Sequence, residues 1–129
     1  MAPVAEHMTR TLLTIAPEAT VREAAARMVE RGVGAVVVLD GEALLAIFTE
    51  RDVLRAVAAG APGEARVAEW MTRHPDTIEP TDTTEHAASL MIHGGYRHLP
   101  VVEERRLVGI VSIRDLMRVA LADSAPRGV

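Results

Sequence analysis

Shifted by 63 positions, the sequence matches itself without a gap, and that self-match limits the fold more than any other feature. Met8-Thr9-Arg10 falls on Met71-Thr72-Arg73, Thr14-Ile15 on Thr77-Ile78, Pro17 on Pro80, and Ala24-Ala25 on Ala87-Ala88. Met28 then meets Met91, Gly32 meets Gly95, Ile47 meets Ile110, Arg51-Asp52 meets Arg114-Asp115, and Arg55 meets Arg118. About a third of positions 8–59 are identical to their partners. A chain built this way makes one supersecondary unit twice. A unit of ~50 residues is marginal alone, so the two are expected to pack face to face with approximate twofold symmetry.

Both copies carry the same order of elements. A short strand is expected at Leu12–Ile15 (Asp76–Ile78 in the copy), followed by a turn containing proline. Val21, Ala24, Ala25, Met28 and Val29 recur at the spacing of one helical face and predict a helix over Val21–Arg31, with Gly32 as its C-terminal stop. Ala87, Ala88, Met91 and Ile92 mark the second helix, stopped at Gly95. Two hairpins come next: Ala35–Leu39 with Leu44–Phe48 around Asp40-Gly41, and Leu99–Val102 with Leu107–Val111 around Glu103–Arg106. Closing helices are expected over Glu50–Ala59 and Ile113–Ala122, and a helical turn at Val67–Met71. Residues 1–6 and 124–129 read as loose ends. The fold class is α+β, two pseudo-symmetric β-α-β-β-α units spanning residues 8–60 and 67–122.

Composition removes several functions. All fourteen basic residues are Arg, so lysine Schiff-base and P-loop chemistry are excluded. There is no Cys, hence no disulfide, thiolate nucleophile or cysteine-held metal. A net charge of −4 opposes a broad nucleic-acid footprint. No apolar run approaches ~20 residues and no signal peptide stands at the start, so a cytoplasmic protein without a membrane span is expected. His86 and His93 are seven apart with no acidic companion, and His7 and His74 are isolated, so no metal site is expected. Glu103-Glu104, Asp76 and Asp82 fall in turns or caps, and no nucleophile elbow or catalytic constellation occurs; the reading is not an enzyme.

Chemistry concentrates at two strand-to-helix corners. Thr49-Glu50-Arg51-Asp52 and Ser112-Ile113-Arg114-Asp115 each set a hydroxyl, a guanidinium and a carboxylate at a helix start. Helix N-termini attract anions, and a carboxylate there can accept ribose hydroxyls. The same strings also fit capping boxes that serve only the helix's own amides, as Thr20-Val21-Arg22-Glu23 does earlier in the chain. Taken alone, each corner fits both readings, and it is the repetition that favours a nucleotide.

With the strand–helix–strand–strand–helix order repeated, and Gly-Tyr-Arg-His-Leu-Pro-Val-Val ahead of Gly-Ile-Val-Ser-Ile-Arg-Asp, residues 8–122 resemble a tandem pair of CBS domains, the Bateman module. The resemblance implies a regulatory module that takes AMP, ADP, ATP or S-adenosylmethionine in an inter-unit cleft, with no obligatory cofactor. It also implies a homodimer and an unidentified regulated protein as partners. Carried over by position, Asp115 and Asp52 match the ribose carboxylate, and Ser112 and Thr49 the hydroxyl beside ribose or phosphate. Arg114, Arg51, Arg97 and His98 match variable positions facing phosphate, while Ile78, Leu99 and Pro100 match the apolar and backbone surface around adenine. Gly34 and Ala35 stand opposite Arg97 and His98, and Val37 opposite Pro100. The Asp115 corner is therefore the expected occupied site and the Thr49/Asp52 corner a lapsed copy. The competing expectation is a structural dimerisation module with no ligand.

Overall fold

A computed structural model describes residues 2–122, and the loose end expected at 124–129 lies outside the described residues. Two compact units emerge: Leu12–Pro75, and Met1–Thr11 together with the chain from Asp76 onward. The sequence repeat and the packing units therefore have different ends. No described helix is long and apolar enough to cross a membrane.

In the unit Leu12–Pro75, four strands pair in the order β1 (Thr14–Ile15), β2 (Ala35–Asp40), β3 (Ala43–Thr49) and β4 (Thr72–Arg73). β1 is parallel to β2; the other pairings are antiparallel. Helix α1 (Val21–Arg31) is fixed at both ends, by a reciprocal Thr20/Glu23 capping box and by Gly32 in the left-handed conformation. Val21, Ala24 and Met28 turn inward from it onto Leu13, Ile15, Val36, Val38 and Phe48. Helices α2 (Glu50–Ala58) and α3 (Val67–Trp70) complete this core through Ala56 and Val67.

The other unit has the same plan in shorter form. β5 (His98–Glu103) and β6 (Arg106–Ser112) make the hairpin, flanked by single bridges from Ile78 to Val101 and from Thr9 to Ile110. Only Ile78 of the strand expected at Asp76–Ile78 pairs. Helices α4 (Thr84–Gly94) and α5 (Ile113–Ala122) contribute Ala87, Met91 and Leu116 to a core with Leu99, Val101 and Val111. At the hairpin tip Glu104 and Arg105 both hold positive φ, as a two-residue turn of matching twist demands.

Residues 2–6 are not loose, which corrects the expectation of a loose end over residues 1–6. Residues Val4–Glu6 form a 3-10 turn, and Val4 is fully buried. Its amide donates to the Asp82 carbonyl, Ala5 N–H to the Pro80 carbonyl, and Thr84 N–H to the Ala2 carbonyl. Met8 and Thr9 then lie so close over β6 that a β-carbon on Gly109 would stand 2.6 Å from the Met8 sulfur and 3.0 Å from the Thr9 carbonyl oxygen. Glycine at 109 is what admits the segment.

Candidate functional site

Register places the corner residues together. His98 pairs with Ser112 across β5 and β6, and Ile113 N–H donates to the Arg97 carbonyl at 2.8 Å, tying the start of β5 to the start of α5. Arg97, His98, Ser112, Arg114 and Asp115 therefore gather at one corner, with Arg97 and Arg114 exposed and the other three partly buried. The sister corner is built identically: Ala35 pairs with Thr49, and Glu50 N–H donates to the Gly34 carbonyl at 3.0 Å. Gly34 and Ala35 give it no cation there, although Arg51 stands exposed on α2.

Ile78, Leu99 and Pro100 are buried sheet residues beneath the first corner. Leu99 belongs to the core, and Ile78 N–H donates to the Pro100 carbonyl at 3.1 Å. In this conformation they frame the corner rather than expose side chains at it.

Both corners form the capping box. Ser112 N–H donates to Asp115 Oδ2 at 2.8 Å, its hydroxyl donates to the same oxygen at 3.0 Å, and Asp115 N–H returns to Ser112 Oγ at 3.2 Å. Thr49 and Asp52 repeat the exchange at 3.0, 3.3 and 3.3 Å. Capping alone therefore accounts for one carboxylate oxygen in each corner.

The second oxygen separates them. Asp52 Oδ1 accepts Arg55 at 2.9 Å and the Thr72 hydroxyl at 3.1 Å, and the Asp52 side chain is 3% exposed. Among the described residues, Asp115 Oδ1 faces only Arg118, at 3.6 Å, and its side chain is 11% exposed. A carboxylate has about four acceptor positions; Asp52 has filled them from within, whereas Asp115 keeps acceptor capacity. Sequence reasoning did not include Thr72, Arg55 and Trp70 in this set. The available signal was the repeat itself, which aligns Thr72 with Thr9, Arg55 with Arg118 and Trp70 with His7.

Tyr96, just before Arg97 and His98, donates its hydroxyl to Asp76 Oδ2 at 2.8 Å, and its ring lies where a β-carbon on Gly94 would collide with it. Desolvation first, then the hydrogen bond to Asp76 and its negative charge, push the phenol up to about 12. A phenol raised in the folded state stabilises the protein fully below its unfolded value of ~10, and that contribution fades as pH climbs from there to about 12. This is the chain's single tyrosine, so tyrosinate absorbance should titrate at about 12 in the folded protein. In Asp76→Asn the midpoint should fall back partway, since burial remains. A folded wild type titrating at the ordinary ~10 would refute the contact.

Among the described residues, no three His, Asp or Glu side chains gather as a metal set. The profile of the CBS domain matches residues 4–59 and again 67–122. The chain belongs to the CBS-domain family. Its two CBS repeats are 37% identical over 117 residues to the CBS domain-containing protein YhcV of Bacillus subtilis, covering 90% of this chain and 84% of that protein. Among solved structures, the CBS domain protein PAE2072 from Pyrobaculum aerophilum, complexed with AMP, is similar at 32% identity and a TM-score of 0.86, covering 96% and 98% of the two chains. The CBS domain pair of protein MJ0100, in complex with 5'-methylthioadenosine and S-adenosyl-L-methionine, is similar at 25% identity and a TM-score of 0.89, covering 95% and 98%.

Proposed function

We propose that this CBS pair is a cytoplasmic regulatory module, not an enzyme, that binds AMP, ADP, ATP or S-adenosylmethionine at the Ser112/Asp115 corner and signals to a partner protein by a conformational change. The observation that carries the choice of corner is the unsaturated Asp115 carboxylate, whose Oδ1 has Arg118 at 3.6 Å as its nearest described cation. Asp115 Oδ1 accepts the ribose hydroxyls, and Ser112 stands beside the first phosphate. Arg114, with Arg97 or His98, neutralises the remaining phosphate charge, which a chain of net charge −4 provides for locally rather than globally. AMP bound to PAE2072 and S-adenosyl-L-methionine bound to MJ0100 support the adenosyl class. To signal, the ligand must bind two conformations of the module unequally.

The decisive measurement is thermal shift and calorimetry with the four ligands. Stabilisation by at least one at sub-millimolar concentration is expected, since ligand at about 100 times Kd adds ~2.7 kcal/mol. No shift with any of them leaves the second reading, a dimerisation module without ligand. That reading draws on apolar side chains standing in solvent at repeat-equivalent positions: Val29 with Ile92, at 83% and 77% exposure, and Leu54 with Met117, at 68% and 53%. A homodimer through these helix faces is compatible with either reading.

A further inference from the structure

Four residues at each corner are equivalent through the repeat, yet they are bonded differently. Thr72, Thr49, Asp52 and Arg55 form a closed set in the unit Leu12–Pro75. Thr9, Ser112, Asp115 and Arg118 hold the matching positions in the other unit. Thr72 lies on β4, in ladder register with Ile47, and its hydroxyl donates to both Asp52 oxygens, at 3.1 and 3.3 Å. Thr9 bridges Ile110 through its backbone, and among the described residues no bond joins its hydroxyl to Asp115. Arg55 is held from two sides: its guanidinium donates to Asp52 Oδ1 at 2.9 Å and lies 5.9 Å over the Trp70 ring. His7 replaces that indole in the other copy, and Arg118 stands farther off at 3.6 Å.

We infer that Thr72, and Arg55 backed by Trp70, are internal ligands that latch the Asp52 corner shut, so that the chain takes one adenosyl ligand rather than two. A vicinal diol needs free acceptor positions on its carboxylate. At Asp52 it must first displace a hydroxyl and a guanidinium bonded to a buried charge, the costly kind of exchange. At Asp115, among the described residues, it displaces nothing closer than 3.6 Å on Oδ1. The Trp70/His7 difference is the sequence cause: stacking fixes one arginine over its carboxylate and leaves the other at longer range.

The stoichiometry rests on the adenosyl reading above; the latch does not. Calorimetric titration of the wild type with AMP should therefore give one equivalent per chain. In the Thr72→Val/Arg55→Ala double variant a second, weaker equivalent should appear, and in Trp70→His a partial one. Two equivalents in the wild type, or a folded double variant that stays at one, overturn the latch. If the wild type binds none of the four adenosyl ligands, the sensor reading fails, and urea unfolding of Thr72→Val, Asp52→Asn and their combination tests the latch alone. A combined variant whose midpoint falls no further than that of the worse single variant supports it; additive losses refute it.

Discussion

Asp115→Ala is expected to weaken AMP binding about 100-fold. Two ribose hydroxyls donating to a charged acceptor contribute ~1.5 kcal/mol or more each, and every ~1.4 kcal/mol is a factor of ten. The same substitution removes the carboxylate half of the capping box of α5, where Ser112 N–H meets Asp115 Oδ2 at 2.8 Å, while the residue-115 N–H still donates to Ser112 Oγ, and so costs about 0.5–1 kcal/mol of stability. Asp115→Asn separates the two effects. The amide oxygen can still accept the capping N–H, while the charge that favours the diol is gone, so affinity should fall with little change in melting temperature. Asp52→Ala should weaken binding by a smaller factor, because its carboxylate is already committed to Thr49, Thr72 and Arg55. Calorimetry on the three variants decides. An equal loss at Asp52 and Asp115, or a larger one at Asp52, defeats the asymmetry.

Deleting residues 2–11 should cost about 5 kcal/mol or more, enough to abolish cooperative folding of the unit that contains β5 and β6. The segment buries Val4 completely and Met8 to 9% exposure, at ~1.5–3 kcal/mol per fully buried side chain. It also supplies the bonds to the Asp82, Pro80 and Ile110 carbonyls and receives those from Thr84 and Ile110, each contributing ~1 kcal/mol net. Against a typical total of about 5–15 kcal/mol that is a large share. Hydrogen exchange is the direct readout. Amides of Val111 and Val101 should lose protection by orders of magnitude, and those of Val36 and Ile47 by much less. Unchanged protection at Val111 would show that the segment is ornamental.

The burial of Val4 left no mark that a reader of the sequence could use. Val4 is a single apolar residue in a three-residue turn, too short for any periodicity to register. The partners of Val4 and Ala5, the Asp82 and Pro80 carbonyls, lie far along the chain. The repeat shows that Met8-Thr9-Arg10 and Met71-Thr72-Arg73 correspond, but a repeat is silent on whether such a segment packs with the residues after it or with the other copy. By contrast, α1 was legible to the residue, because Thr20, Glu23 and Gly32 act through local hydrogen bonds and local φ. The hairpins were legible to within about a residue, since β2 and β5 are buried runs interrupted by turns.

The candidate site divides the same way. Arg97, His98, Ser112, Arg114 and Asp115 share a corner because β5 and β6 are sequential strands of one hairpin, which a sequence displays, although the bulge between Val101 and Val102 that shifts their register is not legible there. Which oxygen of each carboxylate is filled could not be read, because Thr-x-x-Asp and Ser-x-x-Asp describe capping and ligand anchoring equally. The answer came from Thr72, twenty residues beyond Asp52, and from the indole under Arg55.

The pairing of Thr9 with Ile110 also sets an order of events at the ribosome. Leu12–Pro75 is contiguous and can close as soon as Thr72 and Arg73 have emerged, whereas the residues ahead of Leu12 must wait for residues 80–84, and Thr9 for β6. Until then Val4 and Met8 travel uncovered, with the entropic cost of closing a long loop still ahead. The segment translated early is thus seated late, and a domain fused ahead of it would burden the late half rather than the early one.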